Sequence, residues 1–211
     1  MKTMLSRESI HLVERDGTVH VVAEEYFYKT ESYYTILSHE IRGVPVAPGS
    51  SAVLDAYIVP LCLERSGSAG IPVADCTISN SCAQYPAVLY GLNYFASSSE
   101  YTVVRDSAPG KETVRHITNN GKYPFCYQRL AEGENIERHV AIFGSSCSGD
   151  DEICGYARSL YDVFEIPLVT MVFVRWDDGM RLSSLAPTRY SSMSNAEKAL
   201  LRAYIAQQEF L

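Results

Sequence analysis

The stretch from Tyr33 to Pro60 constrains the fold most, because dense apolar content there surrounds a few charges. It reads as helix, turn, strand, helix. Thr30 is placed to cap a helix that begins at Glu31, and Gly43 followed by Pro45 marks its end. On a helical wheel Tyr33, Tyr34, Ile36, Leu37 and Ile41 share one broad arc, with Thr35, Ser38 and Arg42 opposite. Glu40 falls inside the apolar arc. This position predicts a largely buried carboxylate held by a cation or a backbone donor, since an unpaired buried charge is costly. Glu40 is then either a structural partner of such a donor or a group with a chemical task, and its spacing leaves both readings open.

From Ser50 to Arg65 the chain is apolar on every side, with Val53, Leu54, Tyr57, Ile58, Val59, Leu61 and Leu63 spread around the wheel. One buried helix is expected here, bent at Pro60, and it is too short and interrupted to cross a membrane. Asp55 is a second candidate buried carboxylate, which placement near a helix N-terminus would also explain.

A chain of 211 residues with 46% hydrophobic content is long enough for one sizeable core. Its net charge of −7 argues against a general nucleic-acid surface. Met1 to Ile10 is polar, and no apolar run approaches the roughly 20 residues of a membrane span, so neither a secretory leader nor a membrane partner is expected and the expected location is cytoplasmic. The six cysteines (Cys62, Cys76, Cys82, Cys126, Cys147, Cys154) have irregular spacings with no CxxC, and HxxxH is absent. Reduced thiols and no metal site are expected. No cofactor is expected either.

Along the rest of the chain, Asp16-Gly17 between apolar runs signals a hairpin. Ile71 to Ile78 and Tyr101 to Val104 read as strands, whereas Val88 to Phe95 fits helix or strand equally. Lys111 to Asn119 reads as a short helix stopped by Asn119-Asn120-Gly121. The segment Lys122 to Arg129, aromatic with a cation at each end, is either a clamp for an acidic or aromatic ligand or an edge strand blocked by Pro124; the edge strand is the preferred reading. Gly144 to Gly149 superficially resembles a phosphate loop, but Asp150, Asp151 and Glu152 follow it and would repel phosphate, so a loop and helix cap is expected. The helix after it carries Ile153, Tyr156, Ala157, Leu160, Tyr161 and Phe164 at helical spacing. Leu168 to Trp176 then pairs through Asp177-Asp178-Gly179 with Met180 to Leu185, and a final helix opens with the capping box Ser194-Asn195-Ala196-Glu197, its expected buried face Ala196, Ala199, Leu200, Ala203 and Tyr204. The expected fold is α+β (or α/β): a single domain over 1–211 with a mixed sheet, hairpins near both ends and flanking helices.

Two segments carry a family resemblance. Tyr33-Tyr34-x-x-Leu37-x-x-Glu40-x-Arg42-Gly43, with Pro48 beyond it, resembles the opening of the N-terminal domain that accompanies RimK-like ATP-grasp ligases. Leu160-Tyr161-x-x-Phe164-x-x-Pro167-Leu168, followed by a hairpin and the Ser194 helix, is similar to that domain's end. The resemblance implies a chain without the ATP-grasp catalytic domain, and hence an accessory or substrate-recognition role beside an amide-forming ATP-grasp ligase in peptide or amino-acid-conjugate biosynthesis. It implies Tyr33, Tyr34, Glu40 and Arg42 as the recognition cluster, a ligase or other protein subunit as partner, and a small molecule or peptide as ligand. Such a chain alone is expected neither to bind nor to turn over ATP. The competing expectation is a small free-standing enzyme acting on a metabolite, with Cys82 or Cys126 as nucleophile and His39, His116 or His139 as base, or with a buried carboxylate at its centre.

Overall fold

The structure, a computed structural model, describes residues 5–6, 9–92, 101–131, 134–176 and 179–206. In chain order its strands and helices are β1 (His11–Arg15), β2 (Thr18–Val22), α1 (Glu31–Ile41), β3 (Val46–Ala47), α2 (Ser50–Tyr57), α3 (Val59–Ser68), β4 (Thr77–Ser79), β5 (Ala87–Gly91) and β6 (Tyr101–Val104). They continue with α4 (Ser107–Ile117), β7 (Phe125–Arg129), β8 (Asn135–Ile142), β9 (Ser145–Ser146), α5 (Asp151–Phe164), β10 (Leu168–Trp176), β11 (Gly179–Ala186) and α6 (Asn195–Ala206), with a short 3₁₀ turn at Tyr190–Ser192. The sheets have the orders β1-β2-β3, β11-β10-β8-β9 and β4-β7-β5-β6. This is an α+β fold with mixed sheets, since β2 pairs antiparallel with β1 and parallel with β3. The chain divides into two compact units, residues 1–56, 138–171 and 186–211 forming the first and residues 57–137 and 172–185 the second.

In the first unit the β1–β2 hairpin turns at Asp16 (φ 49°) and Gly17 (φ 75°), the pair of positive φ values that a two-residue primed turn requires. Thr30 caps α1 by accepting the Tyr33 N–H at 3.4 Å. At the other end the Gly43 N–H donates to the Glu40 carbonyl and the Val44 N–H to the His39 carbonyl, a Schellman closure with Gly43 left-handed at φ 69°. The core of the unit gathers Val13, Val22, Ile142, Leu168, Tyr190, Met193, Leu201 and Ile205. Phe143 and Gly144 join β8 to β9 with both φ values positive, an unusual conformation for a bulky residue. The Phe143 ring is fixed there by stacking on Tyr204 at 4.8 Å and by the Arg15 guanidinium 4.7 Å from its centroid. Asp150 caps α5 by accepting the Glu152 N–H at 2.9 Å, as the loop-and-cap reading requires, and Ile153, Ala157, Leu160 and Phe164 are its buried face. On α6 the capping box forms, with the Ser194 N–H donating to Glu197 Oε2 at 2.6 Å. The buried residues of α6 are Leu201 and Ile205, however; of the expected face Leu200 and Tyr204 pack half-buried against the same core, while Ala196, Ala199 and Ala203 face water. Large branched side chains gain more from burial than alanine, so the helix turns that face inward.

The second unit packs Leu89, Val104, Val114, Phe125 and Tyr127 between its sheet and α4. Four sequence expectations change here. The single bent helix from Ser50 to Arg65 is two helices, because Ile58 is extended (φ −95°, ψ 101°) and Pro60 lies in the first turn of α3, where its missing N–H costs nothing. Ile71 to Ile78 contributes only Thr77–Ser79 to a strand, plus one parallel bridge from Val73 to Leu182. Ser107 rather than Lys111 starts α4, and Gly110 is buried where an added Cβ would stand 2.2 Å from the Tyr85 ring. Pro124 precedes β7 instead of interrupting it, so β7 is an internal strand between β4 and β5. Two of the three aromatic side chains of the supposed ligand clamp, Phe125 and Tyr127, are therefore core, and Tyr123 is half-buried. Ala87–Gly91 settles as strand, while 93–95 and the turn residues Asp177 and Asp178 lie outside the described residues.

Candidate functional site

Helix α1 holds the residues that the sequence singles out. Tyr33 is half-buried and Tyr34 is 61% exposed, their rings meeting edge to face at 6.2 Å. Ile41, expected inside the apolar arc, is 84% exposed, and Arg42 beyond it is exposed as the C-cap. Glu40 is also exposed, which corrects its expected burial: only Ser32 and Ile36 of α1 are buried, a narrower stripe than the wheel suggested. The donor half of the expectation does appear. Glu40 Oε1 accepts the Ser50 N–H at 2.7 Å, so this carboxylate caps the start of α2. Asp55 is half-buried in the same helix.

The cysteines and histidines do not assemble a nucleophile and base within the second unit. Cys126 is wholly buried on β7, its thiol hydrogen-bonded to Cys76, an environment that holds its pKa far above the ordinary thiol value. Cys82 and His116 are both exposed, and no hydrogen bond joins them among the described residues. In the first unit, His39 turns its Nδ1 to the Thr35 carbonyl at 2.8 Å, and His139 is half-buried on β8. All six cysteines are free thiols.

The structure brings forward a different constellation. A pocket of about 570 Å³ in the first unit is walled by Ser6, Glu24, Arg189, Ser191, Lys198 and Arg202, together with Leu5 and Tyr190. Glu24 follows the apolar end of β2 and is only 7% exposed. Its Oε1 accepts the Tyr190 N–H at 2.6 Å and its carbonyl accepts the Thr188 N–H at 3.1 Å. Thr188 is itself anchored by a 2.8 Å hydroxyl contact with Thr170 of β10. The Tyr190 hydroxyl donates to the Ser9 carbonyl at 3.2 Å, and burial, then the Glu24 charge, pushes its pKa well above the ordinary phenol value. These bonds fix the segment after β11 against the segment after β2 and set Arg189 in the pocket wall. Lys198 and Arg202, one turn apart, present two further cations from α6. Among the described residues the wall thus has two positive charges in excess of its one carboxylate. Sequence reasoning missed Glu24, Arg189, Lys198 and Arg202; the lysine and arginine four apart on the last helix of an acidic chain are the only signal it offered. Among the described residues no group of three or more His, Cys, Asp or Glu side chains is placed to hold a metal ion.

No family model matches the sequence, and no curated protein matches it. Solved structures do. The chain is similar to the ATP-grasp ligase PsnB complexed with a minimal precursor, with 15% identity and a TM-score of 0.55 over 95% of this chain and 86% of that one. It is similar to the RimK domain ATP-grasp protein from Sphaerobacter thermophilus DSM 20745 (15% identity, TM-score 0.62, 82% and 76% covered). A third match is the D-alanine–D-alanine ligase from Helicobacter pylori (13% identity, TM-score 0.60, 82% and 68% covered). The likeness runs over most of each chain and does not single out an N-terminal domain. At these identities it establishes architecture alone: the chain has an ATP-grasp-like fold.

Proposed function

We propose that this chain is a stand-alone recognition protein that serves a separate amide-forming ATP-grasp ligase, engaging the peptide or amino acid that the ligase joins. The observation that carries the reading is the ATP-grasp-like fold, found over most of the chain and shared with a ligase solved in complex with its precursor. An ATP-grasp fold implies ATP and magnesium. The described residues supply no cluster of three or more metal-holding side chains, so no metal-dependent step is assigned to this chain. The recognition cluster sits on the outer face of α1: Tyr34 and Arg42 are exposed, and Ile41 beside them is an apolar side chain left in water. Tyrosine and arginine are residue types that dominate binding hot spots. Tyr33, half-buried, supports the Tyr34 ring, and Glu40, exposed like Tyr34, holds the start of α2.

The test is isolation of the native protein from its source cells, identification of what co-purifies, and reconstitution. The expected result is an ATP-grasp ligase whose amide product forms at full rate only with this chain present, while the chain alone releases no ADP or phosphate from ATP. Conversion of a small metabolite by the purified chain, with no added subunit, overturns the reading in favour of a free-standing enzyme.

A further inference from the structure

We propose that the pocket walled by Arg189, Lys198 and Arg202 is a binding site for a small phosphate monoester. This goes beyond the accessory role and does not depend on it. Asp and Glu outnumber Lys and Arg in this chain by 25 to 18, yet among the described residues the pocket reverses the balance, with three cations to one carboxylate. Lys198 and Arg202 stand four residues apart on one face of α6, a like-charge spacing that opposes the helix unless an anion lies between them. Glu24, whose Oε1 accepts the Tyr190 N–H at 2.6 Å, offsets one of the three charges and leaves two positive charges in excess. Among the described residues none of the three cations has an ion pair.

The excess of two positive charges selects the ligand class. A phosphate monoester near neutral pH carries close to two negative charges and three acceptor oxygens. Two guanidinium forks, an ammonium and the hydroxyls of Ser6 and Ser191 are the donors that such a group uses, whereas one carboxylate is satisfied by one fork. The volume of about 570 Å³ is typical of small-molecule sites and leaves room for an organic body against Leu5.

The experiment is titration calorimetry on the full chain with phosphoserine, inorganic phosphate and succinate. Saturable binding of phosphoserine is expected, at least about tenfold tighter than succinate. Lowering the pH from 7.5 to 5 should weaken phosphoserine, because its phosphate takes up its second proton near pH 6. Among the described residues the wall holds no histidine, its titratable and charged groups being Glu24, Arg189, Tyr190, Lys198 and Arg202, so a transition near pH 6 reports the ligand. Lys198→Gln and Arg202→Gln, read beside a melting curve that confirms folding, should each lose about tenfold in affinity, the share of one charge-assisted bond. Succinate binding as tightly as phosphoserine, unchanged affinity in both variants, or no saturation at millimolar ligand overturns the proposal. Inorganic phosphate binding as tightly as phosphoserine overturns the role given to the organic body. Each outcome is read on the isolated chain, so it leaves the co-purification result standing or falling by itself.

Discussion

Glu24 is the residue whose removal separates stability from binding, and two substitutions make the separation. The Tyr190 N–H that it accepts lies in a buried segment, Tyr190 being 3% exposed. Glu24→Ala leaves that donor without a partner, a loss of about 2–3 kcal/mol for a buried donor deprived of a charged acceptor. In a chain of this size such a loss lowers the melting temperature by roughly 4–12 °C. Glu24→Gln keeps a carbonyl oxygen in the same place and exchanges a charge-assisted bond for a neutral one, so its cost is about 1 kcal/mol. The two variants have the same effect on pocket charge, since each raises the excess from two to three positive charges. Phosphoserine should therefore bind Glu24→Gln at least as tightly as the parent, although the protein is slightly less stable. Melting followed by circular dichroism, with calorimetry on the same preparations, measures both. The reasoning is refuted if Glu24→Ala melts with Glu24→Gln, or if Glu24→Gln binds phosphoserine more weakly than the parent.

Three further outcomes are expected. Ser183 is fully buried and links Tyr90, whose hydroxyl donates to it at 2.6 Å, with Gln128, so Ser183→Ala orphans two buried groups and should cost about 2–3 kcal/mol by urea denaturation; a cost no larger than that of Tyr90→Phe would contradict the network. Burial lowers the pKa of His11 and, with Arg15, that of His20 below the ordinary 6.5, so below about pH 6.5 the unfolded chain binds more protons and stability falls as pH drops; the double variant His11→Gln/His20→Gln should show a shallower fall between pH 7.5 and 5.5, and an unchanged slope would refute the assignment. At pH 7.5 iodoacetamide should label the exposed Cys82 and Cys147 and spare Cys126 and Cys62, the latter pushed up to about 12 by burial; mass mapping that finds Cys126 among the fast sites would revive a cysteine nucleophile.

Much of the fold was legible because local chemistry and tertiary packing agree. Asp16-Gly17 is a hairpin turn, Gly43 ends α1, the α5 periodicity buries Ile153, Ala157, Leu160 and Phe164 and leaves Tyr156 and Tyr161 half-buried, and Glu197 closes the α6 cap. The errors share one cause, which is that local patterns do not report what an element packs against. Pro60 reads as a kink if the helix is continuous and as a first-turn residue if it is not, and the extended backbone at Ile58 decides for the second. Pro124 reads as an edge marker only if it lies inside a strand, and β7 begins one residue later. The wheel of α6 counts alanines as apolar, although Leu201 and Ile205 gain far more from burial.

The carboxylates show why the site was harder to read than the fold. Glu40 drew attention by its place in an apolar arc, yet the arc ends in Ile41, which faces water, and the donor that Glu40 meets is a backbone N–H ten residues along the chain. Local spacing finds such caps because both partners are nearby in sequence. Glu24 has no such signature, since its donor, the Tyr190 N–H, lies 166 residues away and is delivered by the return of the chain after β11. The same return brings Arg189 to the pocket wall beside the two α6 cations. A pocket assembled from segments at opposite ends of a sequence has no local period, and what remains of it in the sequence is Lys198 and Arg202, a like-charged pair four apart on the last helix of a chain that is acidic as a whole. That imbalance is unfavourable in the empty pocket and becomes favourable when an anion enters it, which is why it points to a ligand rather than to stability.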